Sequence, residues 1–201
     1  YNADRMPTIG EVLQVTKNNV LLTVNRSNTR KFMLLGDPAV TLNYPFHDVV
    51  TTGINEQPYA AANDTISALE KVKLSGEVRD AAGNLLNNFN GVVYPTIYDK
   101  PTEVKTLVND PGSREATFER QDNVIFKGRA SVVNGQFEFE FIVPKDIDYS
   151  LGYGKISYYA EDLGQPIDAH GYTDDLVIGG TADDFEADNS GPDLQVYMND
   201  Y

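Results

Sequence analysis

The sequence of 201 residues has no cysteine and no tryptophan, only two histidines, and 16 Lys and Arg against 30 Asp and Glu. Without cysteine there is no disulfide, no thiolate metal site and no thiol nucleophile within the chain. The net charge of −14 is the wrong sign for neutralising phosphates, so nucleic acid is not an expected partner, and neither is an anionic membrane surface. No run approaches the ~18 apolar residues of a membrane span. No basic, then apolar, leader pattern opens the chain. Hydrophobic residues make up 41% and charged residues 23%, a balance that suits a folded core.

Helical signals are confined to the start. Thr8-Ile9-Gly10-Glu11 has the form of a capping box, in which Thr8 and Glu11 each accept a hydrogen bond from the other's amide. Ile9, Val12, Leu13 and Thr16 then recur at helical spacing, and Pro7 and Asn18-Asn19 frame a helix over residues 8–18.

From Lys31 the period falls to two. Phe32-Met33-Leu34-Leu35 reads as a short buried strand, and Val40, Leu42 and Tyr44 alternate after it. A looser stretch with Gly53, Pro58 and Ala60-Ala61-Ala62 marks a boundary. Beyond it, Val72, Leu74, Gly76 and Val78 share one strand face, and Asp80–Asn84 forms a turn. Asn134-Gly135 tolerates the two positive φ angles of a type I′ hairpin. The register it implies sets Val132 against Phe137, Ala130 against Phe139, Gly128 against Phe141 and Phe126 against Val143. On the other face Arg129 meets Glu140 and Ser131 meets Glu138. Further strands are expected over 91–98, 103–108, 154–161 and 175–179. Short strands between turns predict a mainly β protein, an antiparallel β-sandwich with one short N-terminal helix.

Candidate chemistry is sparse. No Lys or Arg follows Lys155, whereas eleven acids do. The tightest group, Asp183, Asp184, Glu186 and Asp188, offers hard oxygens of the kind calcium prefers, although no EF-hand spacing is present. A solvated acidic loop accounts for the same residues. His47 and His170 lie far apart and match no metal-ligand motif. There is no Gly-x-Ser-x-Gly elbow. Tyr44, Tyr59, Tyr94, Tyr98, Tyr149, Tyr153, Tyr158, Tyr159 and Tyr172 could line a sugar or protein site, but the ring that most often stacks on sugars, tryptophan, is missing, and tyrosine is also ordinary strand composition. A carboxylate pair of the glycosidase type can be assembled only by the fold. No catalytic set and no cofactor is expected in this chain beyond calcium.

Several phrases go beyond generic β sequence: Pro7–Leu13, Arg30–Pro45 (with Phe32-Met33-Leu34-Leu35-Gly36-Asp37-Pro38-Ala39), Phe141–Ile147, Gly154–Ala160, Gly179-Gly180 and Gly191–Asp200. In order, they resemble the gingipain-like cysteine peptidase family, and within it the cell-surface C-terminal-signal peptidases, or sortases, of the type IX secretion system. The resemblance implies that residues 1–44 are the tail of a peptidase domain, with the helix over 8–18 and a strand near 32–35. It implies that 45–185 form the immunoglobulin-like sandwich, and that 186–201 open a further domain or add a terminal strand. The family's catalytic His and Cys have no counterpart here, so the fragment is expected to be non-catalytic, with a structural or docking role at the outer-membrane exterior of a gram-negative bacterium. Its partners would be the peptidase domain of the same parent and other type IX secretion components, without membrane insertion of its own. A stand-alone calcium- or glycan-binding surface module is the alternative. Cut from a peptidase core, the helix and the 32–35 strand are expected to fold back or to pair with a second copy.

Overall fold

The computed structural model describes residues 6–21, 26–59 and 65–182. The four acids Asp183, Asp184, Glu186 and Asp188, and the segment 186–201, lie outside the described residues. The chain divides into two compact units, one running to Tyr44 and the other starting at Pro45.

In the first unit, α1 spans Ile9–Leu21 and α2 spans Arg26–Lys31. The capping box forms as its residues predict. The Thr8 amide donates to Glu11 Oε2 at 2.9 Å, and the Glu11 amide donates to Thr8 Oγ1 at 3.2 Å. The Ile9 and Gly10 amides donate to the carbonyls of Val40 and Pro38, so the remaining first-turn donors are satisfied by the chain that returns after α2. The helix runs three residues past its expected end. The strand near 32–35 does not form. Those residues adopt no regular structure, and Phe32, Met33 and Leu35 are 70%, 74% and 87% exposed. A short apolar run becomes a buried strand only where a neighbouring strand supplies its hydrogen bonds, and among the described residues nothing pairs with this one.

The second unit is almost wholly β. Its strands are β1 (His47–Ile54), β2 (Gln57–Pro58), β3 (Thr65–Ala68), β4 (Lys71–Arg79), β5 (Gly91–Tyr98), β6 (Thr102–Lys105), β7 (Thr117–Arg120), β8 (Val124–Lys127), β9 (Ala130–Val132), β10 (Gln136–Ile142), β11 (Gly152–Asp162) and β12 (Asp168–Thr181). The mainly β expectation holds. In place of two stacked antiparallel sheets, however, ten strands belong to one sheet in the order β10-β4-β1-β12-β11-β5-β8, with β2, β3 and β9 attached beside it. The sheet is mixed, since β12 lies parallel to β1 at its start and parallel to β3 at its end. It curls until it is nearly closed, because β9 joins β5 while the turn after β9 leads into β10.

Side-chain alternation fills the interior. Val72, Leu74 and Val78 of β4 are completely buried, as are Val93, Ile97, Ile156, Ala160, Leu176 and Ile178. At Gly171 the backbones of β12 and β1 approach so closely that a Cβ would sit 1.9 Å from the Val49 carbonyl oxygen.

The Asn134-Gly135 turn is present, with φ of 52° and 76° and mutual backbone hydrogen bonds between Val133 and Gln136. The longer register expected from it is not. β10 pairs along its length with β4, placing Phe137 opposite Gly76, Phe139 opposite Leu74 and Phe141 opposite Val72. β9 turns away to pair with β5. The turn dictates only its nearest pair, and β4 offers β10 a longer apolar face than the three residues of β9 can. Consequently Glu140 pairs with Lys71 at 2.8 Å and Glu138 with Lys73 at 3.2 Å, in place of Arg129 and Ser131. Rings meet rings where small residues were expected opposite them: Phe126 stacks on Phe139 and Phe141, with centroids 5.5 and 4.8 Å apart.

Candidate functional site

Three features of the second unit could carry function. The first lies where β5 ends. Asp99 and Lys100 are 2% and 8% exposed, a buried ion pair with Lys100 Nζ 2.8 Å from Asp99 Oδ1. Lys100 Nζ also donates to the carbonyls of Asp148 and Ile178, at 2.7 and 3.2 Å. Asp99 further accepts the Lys100 and Asp148 amides at 2.8 and 3.0 Å, and its own carbonyl accepts Gln121 Nε2 at 2.8 Å. Burial pushes the Asp99 carboxyl up. The Lys100 side chain and the amides of Asp148 and Lys100 outweigh it and hold the group below the usual carboxylate range. One pair thereby ties the start of β6, the 121–123 loop, the 148 loop and the end of β12 together. It is a strut rather than a reaction centre, because every polar side-chain atom of the pair is already engaged. A neighbouring acid and base after a strand are common in exposed turns, so no sequence signal marked it.

The second feature is an outward row across five strands. Tyr94, Tyr159, His170, Asp48 and Arg79 lie side by side in register. Tyr94 and Tyr159 stack at 6.3 Å. Their hydroxyls donate to Glu161 Oε1 at 2.7 Å and Asp168 Oδ2 at 3.3 Å. The hydrogen bond to Glu161 raises the Tyr94 pKa, and desolvation followed by the Asp168 charge raises that of Tyr159. Two ring faces rimmed by carboxylates suit a cationic side chain.

The third is a groove of about 830 Å³ where β9 and β10 diverge, lined by Thr52, Ser75, Arg129, Ser131, Gln136 and Glu138 over Phe137 and Phe139.

Of the histidines, His47 and His170 are brought to adjacent strands, since Asp48 pairs with His170 and His47 with Ala169. Alternation sends their side chains to opposite faces. His170 is exposed, and among the described residues the buried Nδ1 of His47 has no hydrogen-bond partner. Among the described residues, no three His, Asp or Glu side chains converge as metal ligands. The tyrosines do not form one site. Tyr158 is buried, donating to or accepting from Thr51 Oγ1 at 2.8 Å, and burial pushes its hydroxyl pKa up to about 12. Tyr98 lies beneath the Lys155 ammonium at 4.9 Å. Tyr153 and Tyr172 stand exposed.

No family model and no curated protein matches the sequence. Among solved structures, dimeric latent PorU from Porphyromonas gingivalis aligns with a TM-score of 0.60 and 29% identity, covering 92% of this chain and 17% of that one. The chain is similar to PorU over nearly its whole length. It spans only about a sixth of the PorU chain. Spo0M, a sporulation control protein from Bacillus subtilis, aligns at a TM-score of 0.39 and 15% identity, covering 68% of this chain and 51% of that one. The chain is thus a mainly β segment similar to part of the PorU chain. Among the described residues, no helix is long and apolar enough to cross a membrane.

Proposed function

We propose that this chain is a non-catalytic β portion of a PorU-like cell-surface sortase, one that processes type IX-secreted cargo and attaches it at the outer-membrane exterior. Its role is support or docking for the peptidase domain of the same parent. The observation that carries this reading is the 29% identity to PorU sustained across 92% of this chain and only 17% of the other. Two further observations agree with it. With no cysteine in the chain, a cysteine nucleophile has to come from elsewhere in the parent. The apolar residues Phe32, Met33, Leu35 and Phe46 are more than two-thirds exposed, as expected of surfaces that another part of a larger protein covers.

The coding sequence upstream of Tyr1 provides the test. A gingipain-like His and Cys there, and loss of C-terminal-signal cleavage when residues 1–201 are deleted from the parent, support the reading. An unrelated upstream neighbour, or cleavage that persists at full rate after the deletion, would overturn it.

A further inference from the structure

The order of the main sheet puts β10 at one end and β8 at the other. These ends meet through rings rather than through a ladder, since Phe126 of β8 stacks on Phe139 and Phe141 of β10. β10 is paired along its length with β4. On its other side, the described residues supply only the turn contact between Val133 and Gln136. The groove of about 830 Å³ opens beside this edge.

Hydrogen bonds at both ends of β10 fix the phase of its backbone. The Val78 amide donates to the Gly135 carbonyl at 2.7 Å, and the Val143 amide donates to the Glu70 carbonyl at 2.9 Å. Both fall in the register that sets Phe137 opposite Gly76. Phe137, Phe139 and Phe141 therefore turn their N–H and C=O toward β4, and Glu138, Glu140 and Ile142 turn theirs to the open edge. The mutual bonds between Val133 and Gln136 obey the same phase. We infer that this edge takes an extended segment of a partner protein as an added antiparallel strand, with basic side chains opposite Glu138 and Glu140 and small β-branched ones between them.

The alternation of β10 sets that pattern. Residues paired across a ladder share a face, so partner residues bonded to Glu138 and Glu140 stand beside two exposed carboxylates. Acids outnumber bases around them. Lys71 holds Glu140 at 2.8 Å, while Lys73 lies 3.2 Å from Glu138 and 3.7 Å from Glu56. These are solvent-exposed pairs, and two lysines serve three carboxylates. Arg129, on the far wall of the groove, acts on Tyr94, whereas the cations acting on Glu140 are Lys71 and Lys73. On the inner face the partner's intervening residues meet Phe139 and Phe141. Phe126 already packs against both rings, which leaves room for small side chains and not for further rings.

The same charges turn away a second copy. With β10 laid antiparallel on itself, the registers centred on Phe139 or on Glu140 set carboxylate against carboxylate, and the chain as a whole carries −14. A basic segment meets neither obstacle.

Fluorescence anisotropy of a labelled peptide of alternating Val and Lys, matched to the seven residues of β10, tests the pairing with the full chain. Saturable binding that weakens with salt is expected, and a Val and Glu peptide of the same length should not bind. Glu140→Pro removes the N–H that faces the open edge and leaves the β4 ladder intact, because proline is tolerated where the N–H side of an edge strand faces solvent. It should weaken binding by at least about tenfold relative to Glu140→Thr, which removes the same charge and keeps the N–H. Far-UV circular dichroism checks that both variants fold. In the isotope-labelled parent, peptide-induced amide shifts should centre on Glu138, Glu140 and Ile142, a readout that needs no variant. No binding of the Val and Lys peptide up to ~1 mM, equal binding of the Val and Glu peptide, shifts centred away from β10, or a folded Glu140→Pro that binds as well as Glu140→Thr would each overturn the inference.

Discussion

Replacing Asp99 by alanine should cost about 3–5 kcal/mol of unfolding free energy, the range for breaking a buried ion pair from one side. The magnitude follows from what remains. Lys100 stays buried, its stem against Gly152, with only the carbonyls of Asp148 and Ile178 to hold its ammonium. The Asp148 amide loses its acceptor as well. Asp99→Asn keeps an acceptor of the same shape and should cost less, about 1.5–3 kcal/mol. Lys100→Met with Asp99→Ala removes both charges and should cost clearly less than the sum of the two single changes. Urea unfolding followed by circular dichroism gives these numbers from midpoint shifts at constant slope. The pair also has a pH signature. The folded pKa of Asp99 is lowered, so its stabilisation is complete above the unfolded value near 4 and is lost as pH falls through the folded value. The gap between the parent and Asp99→Asn should therefore close below about pH 4. A cost for Asp99→Ala under about 1 kcal/mol, or strictly additive single and double variants, would refute the strut.

Three other outcomes follow from the same coordinates. Tyr158 is buried with its pKa raised to about 12, so stability should be intact below pH 10 and fall by about 3 kcal/mol between pH 10 and 12, a fall that Tyr158→Phe should abolish in an alkaline unfolding series. Gly171→Ala places a methyl group against the Val49 carbonyl and should destabilise by at least about 1–3 kcal/mol in the same urea assay. If Asp183, Asp184, Glu186 and Asp188 form a calcium site, millimolar calcium should raise the melting temperature, and alanine at all four should erase the rise; no shift in the parent removes the site.

How much of this was legible depended on whether the information is local. The capping box was readable because Thr8 and Glu11 satisfy each other within one turn. Strand β4 was readable because strict alternation repeats over nine residues. The turn at Asn134-Gly135 was readable from two residues, yet its continuation was not, since β10 leaves the adjacent β9 for the distant β4, which offers Val72, Leu74 and room over Gly76. β1 escaped notice because a bulge between Thr51 and Gly53 breaks its alternation. The parallel junctions of β12 join segments more than a hundred residues apart in sequence, and nothing in 168–181 encodes them locally. The buried Asp99–Lys100 pair was hidden for the same reason, as its burial is made by the 121–123 and 148 loops.

The two units also differ in how they are held. Among the described residues, the buried apolar cluster starts at Val49 and includes nothing from the first unit. Helix α1 has thirteen residues, a length at which an isolated helix is marginal in water. Its capping box and the carbonyls of Pro38 and Val40 fix its start, but Val12 and Val15 stay exposed on it, and Phe32, Met33 and Leu35 add further apolar surface with no partner strand. Burial of such surface is worth roughly 25 cal/mol per Å², and caps supply about 1 kcal/mol each. Caps can thus set where the helix begins without replacing the missing burial. An additional apolar surface over residues 9–35 is the economical source of the remainder, and the peptidase domain proposed above would present one.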